Sequence, residues 1–204
     1  MTYFCYRFAD LPAGAAEQAL LSADELELAA ARGPRYLAAR ANLRRELGRM
    51  LHRSPESLPL TYSKLGKPQL ADSALHFNQS HSGDYLCLAV HNAPVGVDIQ
   101  QIRPTSATKK LAARIMHPQQ LQAWQARGAS PGEFFACWCA AEALVKHAAA
   151  GIWHAQNYPF LWQSGRIRPL FDHAPEVRFF TPAPGYCGAI AYTVSTSLSS
   201  PSQP

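Results

Sequence analysis

Two carboxylates, Asp98 and Glu142, carry the chemistry that the sequence most clearly suggests. Asp98 ends a strand-like apolar run, and Glu142 lies in an apolar helical segment with Lys146 four residues further on. Oxygen donors from two elements, completed by phosphate oxygens and waters, form the kind of site that Mg²⁺ prefers. The pattern therefore suggests a cation held against a phosphate ester.

Simpler interpretations exist for both carboxylates. Asp98 would be an ordinary strand-end residue that bonds local backbone, and Glu142 with Lys146 would be an exposed i,i+4 ion pair. Phe135 and Trp138 lie on the same helical stripe as Glu142. An acid and a base at the end of an aromatic stripe favour the edge of a pocket over a solvated face.

Two further segments have residues suited to phosphate chemistry. Residues 78–83 read as a turn in which small hydroxyl residues and glycine let backbone N–H groups approach a phosphate, with His81 as a further donor. In Gly66-Lys67-Pro68, a lysine between glycine and proline suits a nucleotide. Each motif alone is weak, because a hydrogen-bonded turn histidine and a surface turn are the commoner cases.

Positive charge is concentrated in one segment of the chain. The net charge is +5, and seven arginines lie between Arg32 and Arg53 with one acid, Glu46. Arginine suits bidentate recognition of phosphate or carboxylate, although a solvated helix face explains the composition equally well. A basic surface fits nucleic acid, a phosphorylated cofactor or an acidic protein. No nucleic-acid recognition motif accompanies the arginines, so we expect no nucleic-acid partner.

Periodicity and capping residues predict the elements that position these groups. Helices are predicted over residues 24–32, 34–51, 105–127 with a break at His117-Pro118, and 133–149. Strands are predicted over residues 85–90, 95–99, 177–180 and 186–194, the first two as a hairpin, whereas residues 60–76 read as loop. Val95, Val97 and Ile99 share one strand face, so Asp98 points to the other.

The chain length suits one large domain or two small ones. The turn and strand at residues 81–90 resemble those at 183–194, which suggests two similar α+β halves at residues 1–93 and 94–195. The Ser/Pro-rich residues 196–204 are predicted to be a disordered tail.

Features of targeting and redox state point to a cytoplasmic protein. No apolar run reaches membrane-spanning length, and the first ten residues lack the pattern of a signal peptide. The five cysteines are scattered and contain no Cys-x-x-Cys pair. We expect them to be small buried hydrophobic residues in a reducing compartment rather than disulfides or zinc ligands.

Four motifs taken in order resemble the 4′-phosphopantetheinyl transferases of the Sfp type, and most closely the bacterial holo-acyl-carrier-protein synthases. They are Gly66-Lys67-Pro68, Phe77-Asn78-Gln79-Ser80-His81-Ser82, Gly96-Val97-Asp98-Ile99 and Trp138-Cys139-Ala140-Ala141-Glu142-Ala143-Leu144-Val145-Lys146. The resemblance implies a monomer of two α+β halves related by a pseudo-twofold axis. It also implies transfer of the phosphopantetheine arm of coenzyme A (CoA) to a serine of an acidic acyl or peptidyl carrier protein, releasing 3′,5′-ADP.

The resemblance also implies roles for individual residues. Asp98, Glu142 and Lys146 would be catalytic, with Asp98 and Glu142 as Mg²⁺ ligands. Glu142 or a metal-bound water could accept the proton of the attacking serine. The implied CoA-binding residues are Arg40 on the 3′-phosphate, Lys67 and Pro68 near the adenine, Ser80, and His81 with Lys146 on the pyrophosphate.

Two positions depart from the family pattern. Gln100 stands where the family usually has an acid; its amide oxygen can still bind Mg²⁺, directly or through water, but adds no charge. Ala141 stands where the family usually has a lysine. The alternative function is therefore a weakened member that binds CoA or a carrier protein but transfers poorly.

Overall fold

The computed structural model describes residues 1–63, 66–103, 105, 107–163 and 165–194, without the side chains of residues 152 and 153. The predicted tail at residues 196–204 lies outside these residues. The α-helices of the described residues are α1 (Ala15–Gln18), α2 (Ala23–Arg32), α3 (Pro34–Leu51), α4 (Thr108–Ile115), α5 (Pro118–Ala126) and α6 (Pro131–His147). The strands are β1 (Thr2–Arg7), β2 (Leu60–Tyr62), β3 (Pro68–Leu70), β4 (His76–Ser82), β5 (Tyr85–His91), β6 (Val95–Gln101), β7 (Phe160–Gln163), β8 (Arg166–Pro169), β9 (Glu176–Phe180) and β10 (Tyr186–Tyr192).

Local sequence explains where the N-terminal helices begin and end. Ser22 and Glu25 form a capping box at the start of α2, in which each side chain accepts a backbone N–H of the other residue. Gly33, with φ of 85°, ends α2, and Pro34 at the first position of α3 restarts the chain as a helix. The predicted helices over residues 24–32 and 34–51 are confirmed.

Two three-stranded antiparallel sheets share one strand order, β1-β5-β4 and β6-β10-β9. In each sheet the first strand along the chain pairs with the last, and the last pairs with the middle one. The predicted α+β class is therefore confirmed. The pseudo-twofold relation and the boundary at residue 93 stay predictions.

One long helix covers each sheet. Leu43 and Leu47 of α3 lie in an apolar cluster with Phe77 and Leu88 of the first sheet. Helix α6 covers the second sheet much more closely, because Gly96 of β6 has no side chain. A Cβ atom at Gly96 would overlap backbone atoms of Ala143 and His147.

Three predictions about the strands were wrong. The strands at residues 85–90 and 95–99 do not form a hairpin, since β5 pairs with β1 and β4 while β6 pairs with β10. The turn between β5 and β6 passes from one sheet to the other. Residues 78–83 belong mainly to strand β4, and residues 60–76 contain the β2–β3 hairpin. Short polar strands escape a pattern search that looks for apolar alternation.

The two sheets meet along β4 and β6 through side chains. Strand β6 is the edge of its sheet, so the groups along its free side need partners. The N–H of Val97 donates to Asn78 Oδ1 at 2.8 Å, and the N–H of Gln101 donates to Ser82 Oγ at 3.0 Å. Alternate side chains of β4 therefore satisfy the free edge of β6, and we call this contact the β4–β6 seam.

The cysteine prediction was wrong for two of the five residues. Cys5 and Cys87 face each other across β1 and β5, with Cα atoms 4.3 Å apart, and they form a disulfide. Cys137, Cys139 and Cys187 are free thiols. Direct cross-strand neighbours could not be recognised while the pairing of residues 2–7 was unknown. None of the helices in the described residues is long and apolar enough to cross a membrane.

Candidate active site

Asp98 lies in the β4–β6 seam with its side chain 3% exposed. Its Oδ1 accepts hydrogen bonds from Ser80 Oγ at 2.8 Å and from Lys146 Nζ at 2.6 Å. Its Oδ2 accepts one from Gln100 Nε2 at 2.9 Å. Strand β4, strand β6 and helix α6 thus each place a polar side chain on or beside one buried carboxylate.

Lys146 joins the two carboxylates that the sequence singles out. Its Nζ lies 3.9 Å from Glu142 Oε2 in addition to the short contact with Asp98, and it also reaches Ser80 Oγ at 3.2 Å. Burial and the negative charge of Asp98 raise the pKa of Glu142, while Lys146 opposes the rise. Two carboxylates therefore converge on one cation.

The donor set suits a hard cation that keeps several ligands from elsewhere. Among the described residues no group of three His, Cys, Asp or Glu side chains could hold a metal ion. The oxygen donors that these residues offer are the carboxylates of Asp98 and Glu142, with the amide of Gln100 beside Asp98. Mg²⁺ is commonly bound by one or two carboxylates plus phosphate oxygens and waters, so this set fits it.

A basic cavity of about 360 Å³ is lined in part by β4, the strand that also carries Ser80. It is lined by Phe8, Arg32, Arg35, Tyr36, Ala39, Arg40, Pro68, Gln79 and His81. The described lining contains three arginines and no acidic side chain, and two aromatic rings add apolar surface. Such a cavity suits a ligand that carries both phosphate and a flat ring.

Arg40 has the most constrained cation of the cavity. Its side chain is 11% exposed, its Nε lies 3.5 Å from Glu25 Oε1, and its Nη2 donates to Tyr36 Oη at 3.4 Å. Its Nη1 is buried without a hydrogen-bond partner. A buried donor left unpaired costs free energy, so this nitrogen is a polar group of Arg40 that the described residues do not satisfy.

His81 lines the cavity, and the residue before it, Ser80, bonds Asp98. It follows Ser80 on β4, and it lines the cavity with its ring 6.0 Å from that of Phe8. Burial lowers the pKa of His81, and the positive charges of Lys146 and Arg35 lower it further while Asp98 opposes them. The shift in pKa favours the neutral imidazole, and its causes place His81 within electrostatic range of both members of the Asp98–Lys146 pair.

Adjacent residues of the Gly66-Lys67-Pro68 motif face different surroundings. Pro68 lines the cavity with Arg40 and His81. The Lys67 side chain runs elsewhere, and its Nζ donates to the backbone oxygens of Lys146 at 2.6 Å and Val95 at 3.0 Å.

The sequence predicted three of the described residues that line the cavity as site residues, Arg40, Pro68 and His81. It did not single out the other six as site residues, which are Phe8, Arg32, Arg35, Tyr36, Ala39 and Gln79. Arg32 and Arg40 both lie four residues from Tyr36, and both guanidinium groups are within 5.4 Å of its ring centre. This i,i+4 spacing was a usable signal, whereas nothing in the local sequence distinguishes Phe8.

Comparison with known proteins gives a family match for the second half of the chain. Residues 94–194 match the model of the 4′-phosphopantetheinyl transferase superfamily. The matched segment contains Asp98, Glu142 and Lys146.

Several relatives extend the similarity. A Synechocystis protein with a provisional 4′-phosphopantetheinyl transferase name is 35% identical over 150 residues, which is 66% of this chain and 59% of that protein. The 4′-phosphopantetheinyl transferase HetI of Nostoc is 34% identical over 58% of this chain and 53% of its own length. The transferase gsp of Aneurinibacillus migulanus is 30% identical over 70% and 64%, respectively. The matches thus span between about half and two thirds of the relatives' lengths.

Proposed function

Because the chain belongs to the 4′-phosphopantetheinyl transferase superfamily, we propose that it transfers the phosphopantetheine group of CoA to a serine of an acyl or peptidyl carrier protein. The observation that carries the proposal is the convergence of Asp98, Glu142 and Lys146. A basic cavity lined by His81, the neighbour of Ser80 on β4, supports it. The reaction would require Mg²⁺, which would be held by Asp98 and Glu142 with Gln100 nearby.

The basic cavity would bind the nucleotide part of CoA. The position of Arg40 in the cavity wall supports a contact with the 3′-phosphate. Pro68 would lie near the adenine, and His81 and Lys146 would contact the pyrophosphate at the end of the cavity towards Asp98. Ser80 supports this arrangement from behind, since its hydroxyl bonds both members of the Asp98–Lys146 pair.

The transfer forms one bond and breaks one. The serine oxygen of the carrier forms a bond to the phosphorus that bears the pantetheine arm, and the bond from this phosphorus to the bridging oxygen breaks, leaving 3′,5′-ADP. Mg²⁺ would supply charge stabilisation to the pyrophosphate. Lys146 would offset the charge of the leaving oxygen. Glu142, whose pKa is raised by burial, is suited to accept the serine proton.

The proposal extends to partner and location. A net charge of +5 supports an acidic carrier protein. We propose a monomer whose two halves are related by an internal pseudo-twofold axis, with the CoA site between the halves. The reaction would take place in the cytoplasm.

The test is a transfer assay read by mass. The protein is incubated with CoA, Mg²⁺ and several apo-carrier proteins, and each carrier is weighed intact. We expect a gain of one phosphopantetheine on at least one carrier, and none when Mg²⁺ is chelated or the acceptor serine is alanine. Measurable CoA binding without a mass gain on any carrier would contradict the enzymatic function.

A weakened, binding-only role is the second candidate. Gln100 donates its amide NH₂ to Asp98. Because the amide is uncharged, this position adds no negative charge to the cation site. Ala141 is 2% exposed within the core around α6 and offers no polar group. The same assay separates the two functions, because the weakened member would bind CoA or a carrier without modifying it.

A further inference from the structure

The ammonium of Lys67 bridges the two halves of the molecule. Lys67 directly precedes β3, and its Nζ donates to the backbone oxygens of Lys146 at 2.6 Å and Val95 at 3.0 Å. Lys146 lies in the last turn of α6, and Val95 is the first residue of β6. One side chain therefore holds the end of a helix and the start of a strand together.

The backbone of Lys67 is itself fixed. Its N–H donates to Ser63 Oγ at 3.1 Å, and its carbonyl accepts the N–H of Ser63 at 2.9 Å. Burial and the positive charge of Lys146 lower the pKa of Lys67 to about 8, so the side chain is still mostly protonated at neutral pH. The ammonium thus remains a donor to both carbonyls despite the cost of removing it from water.

The held segment carries the catalytic cation. The last turn of α6 lies directly on Gly96 of β6, where a Cβ atom would overlap backbone atoms of Ala143 and His147. From this turn, the side chain of Lys146 reaches Asp98 at 2.6 Å. Lys67 binds the main chain of the same residue, so a shift of that turn would move the ammonium that meets Asp98 and Glu142.

We propose that Lys67 is a positioning residue, which fixes the last turn of α6 against β6 and so sets the place of the Lys146 ammonium relative to Asp98. The inference rests on the proposed transferase function. It differs from a role in CoA binding, because Pro68 lines the cavity and the Lys67 ammonium is bound to backbone instead.

The test compares Lys67→Met, which removes the donors at similar length, with Lys67→Arg, which keeps them. We expect Lys67→Met to lower kcat by about 10- to 100-fold, because small misplacements of catalytic groups are costly. The Kd for CoA should stay within about twofold, and Lys67→Arg should recover most of kcat. Gln69→Met, at an exposed position of the same hairpin, is the matched control and should change neither quantity.

A second readout does not depend on activity. Hydrogen exchange of peptides covering residues 143–150 and 95–98 should be about 10-fold faster in Lys67→Met than in the wild type and in Gln69→Met, because charge-assisted bonds to both segments are lost. If Lys67→Met does not fold, Lys67→Gln, which keeps an uncharged NH₂ donor on a shorter side chain, takes its place in both measurements.

The outcomes are separable. A large rise in the Kd for CoA with unchanged kcat and exchange would overturn the proposal and assign Lys67 to CoA binding. Unchanged exchange in the two peptides would overturn it as well. If the wild type modifies no carrier, the transferase function fails, while faster exchange in Lys67→Met would still support the role of Lys67 in holding α6.

Discussion

Helices α3 and α6 each cover a three-stranded sheet of the same strand order, but at different closeness. Helix α3 contacts its sheet through Leu43 and Leu47, whereas α6 uses small residues such as Ala140 and Ala143 and lies on the backbone of Gly96. Leucine side chains keep a helix at the usual distance from a sheet, and small ones let the backbones approach. The close contact is the one that brings Lys146 to Asp98.

The ion pairs formed by residues of α3 and of α6 also differ. Glu25 meets Arg44 at 2.7 Å, and the guanidinium of Arg44 also donates to the carbonyl of Pro55, so this pair is part of a fixed network. Asp98 meets Lys146 at 2.6 Å, but the ammonium is shared with Glu142 and the side chain of Lys146 is 27% exposed. The first pair is suited to hold structure, and the second can exchange partners when a ligand arrives.

The largest effect is expected from Gly96→Ala, which tests the close contact directly. The added Cβ would overlap backbone atoms of α6, which cannot yield without moving the helix. We expect a loss of about 3 kcal/mol or more in the free energy of unfolding and no measurable transfer. Gly188→Ala in β10 is the control, since its Cβ would meet a side chain, the ring of Phe180, that can rotate. Equal stability losses at the two glycines would contradict the importance of the α6 contact.

The next effect separates the two buried carboxylates. Asp98→Asn should lower the transfer rate by about 100- to 1000-fold, since it removes charge at the reacting centre. Glu25→Gln should instead lower the free energy of unfolding by about 3–5 kcal/mol, because it leaves buried arginines without their carboxylate, and it should largely retain kcat. Urea unfolding and the carrier mass assay measure the two quantities. Similar profiles for both variants would show that the two pairs do not differ in role.

A third substitution acts on stability alone. Leu47 is fully buried in the cluster beneath α3, so Leu47→Ala should cost about 2–5 kcal/mol of unfolding free energy. The activity of the folded fraction should stay near that of the wild type, because Leu47 packs in this apolar cluster and not against Asp98 or Glu142. A large fall in kcat under conditions in which Leu47→Ala is fully folded would contradict this expectation. It would show that packing under α3 influences the site on β6 and α6.

The smallest effect concerns pH. Burial, followed by the charges of Lys67 and His76, lowers the pKa of His147 to about 4. As the pH falls, His147 therefore takes up a proton in the unfolded chain before it does so in the folded protein. The contribution of neutral His147 to stability is complete above about pH 6.5 and is lost as the pH falls towards 4. His147→Gln should flatten the loss of stability measured by urea unfolding over this range, whereas His154→Gln at an exposed position should not. Glu142 is unchanged in both variants, so its opposite pH dependence cancels.

Local patterns in the sequence were sufficient for the long helices, and short motifs singled out the carboxylates. Capping at Ser22 and the glycine–proline break at residues 33–34 predict helices α2 and α3, and the apolar stripe around Glu142 predicts α6. The contact between Asp98 and Lys146 joins two residues that these motifs had singled out.

Pairing between distant segments could not be predicted. The assignment of β6 to β10 rather than β5, and the disulfide of Cys5 with Cys87, both depend on contacts between segments more than eighty residues apart along the chain. The destination of the Lys67 ammonium is of the same kind, because its acceptors are backbone oxygens that any residue would provide. Such contacts leave no trace in the local order of residue types.

The distance between the two sheets at the β4–β6 seam is not fixed by a backbone ladder. Two strands joined by a backbone ladder lie about 4.8 Å apart whatever their sequences. Here the spacing between the sheets is set by the lengths of the Asn78 and Ser82 side chains that reach β6. Single substitutions at these positions can therefore widen or narrow the β4–β6 seam while both sheets keep their own ladders, so the width of the seam is a trait that selection can change in small steps.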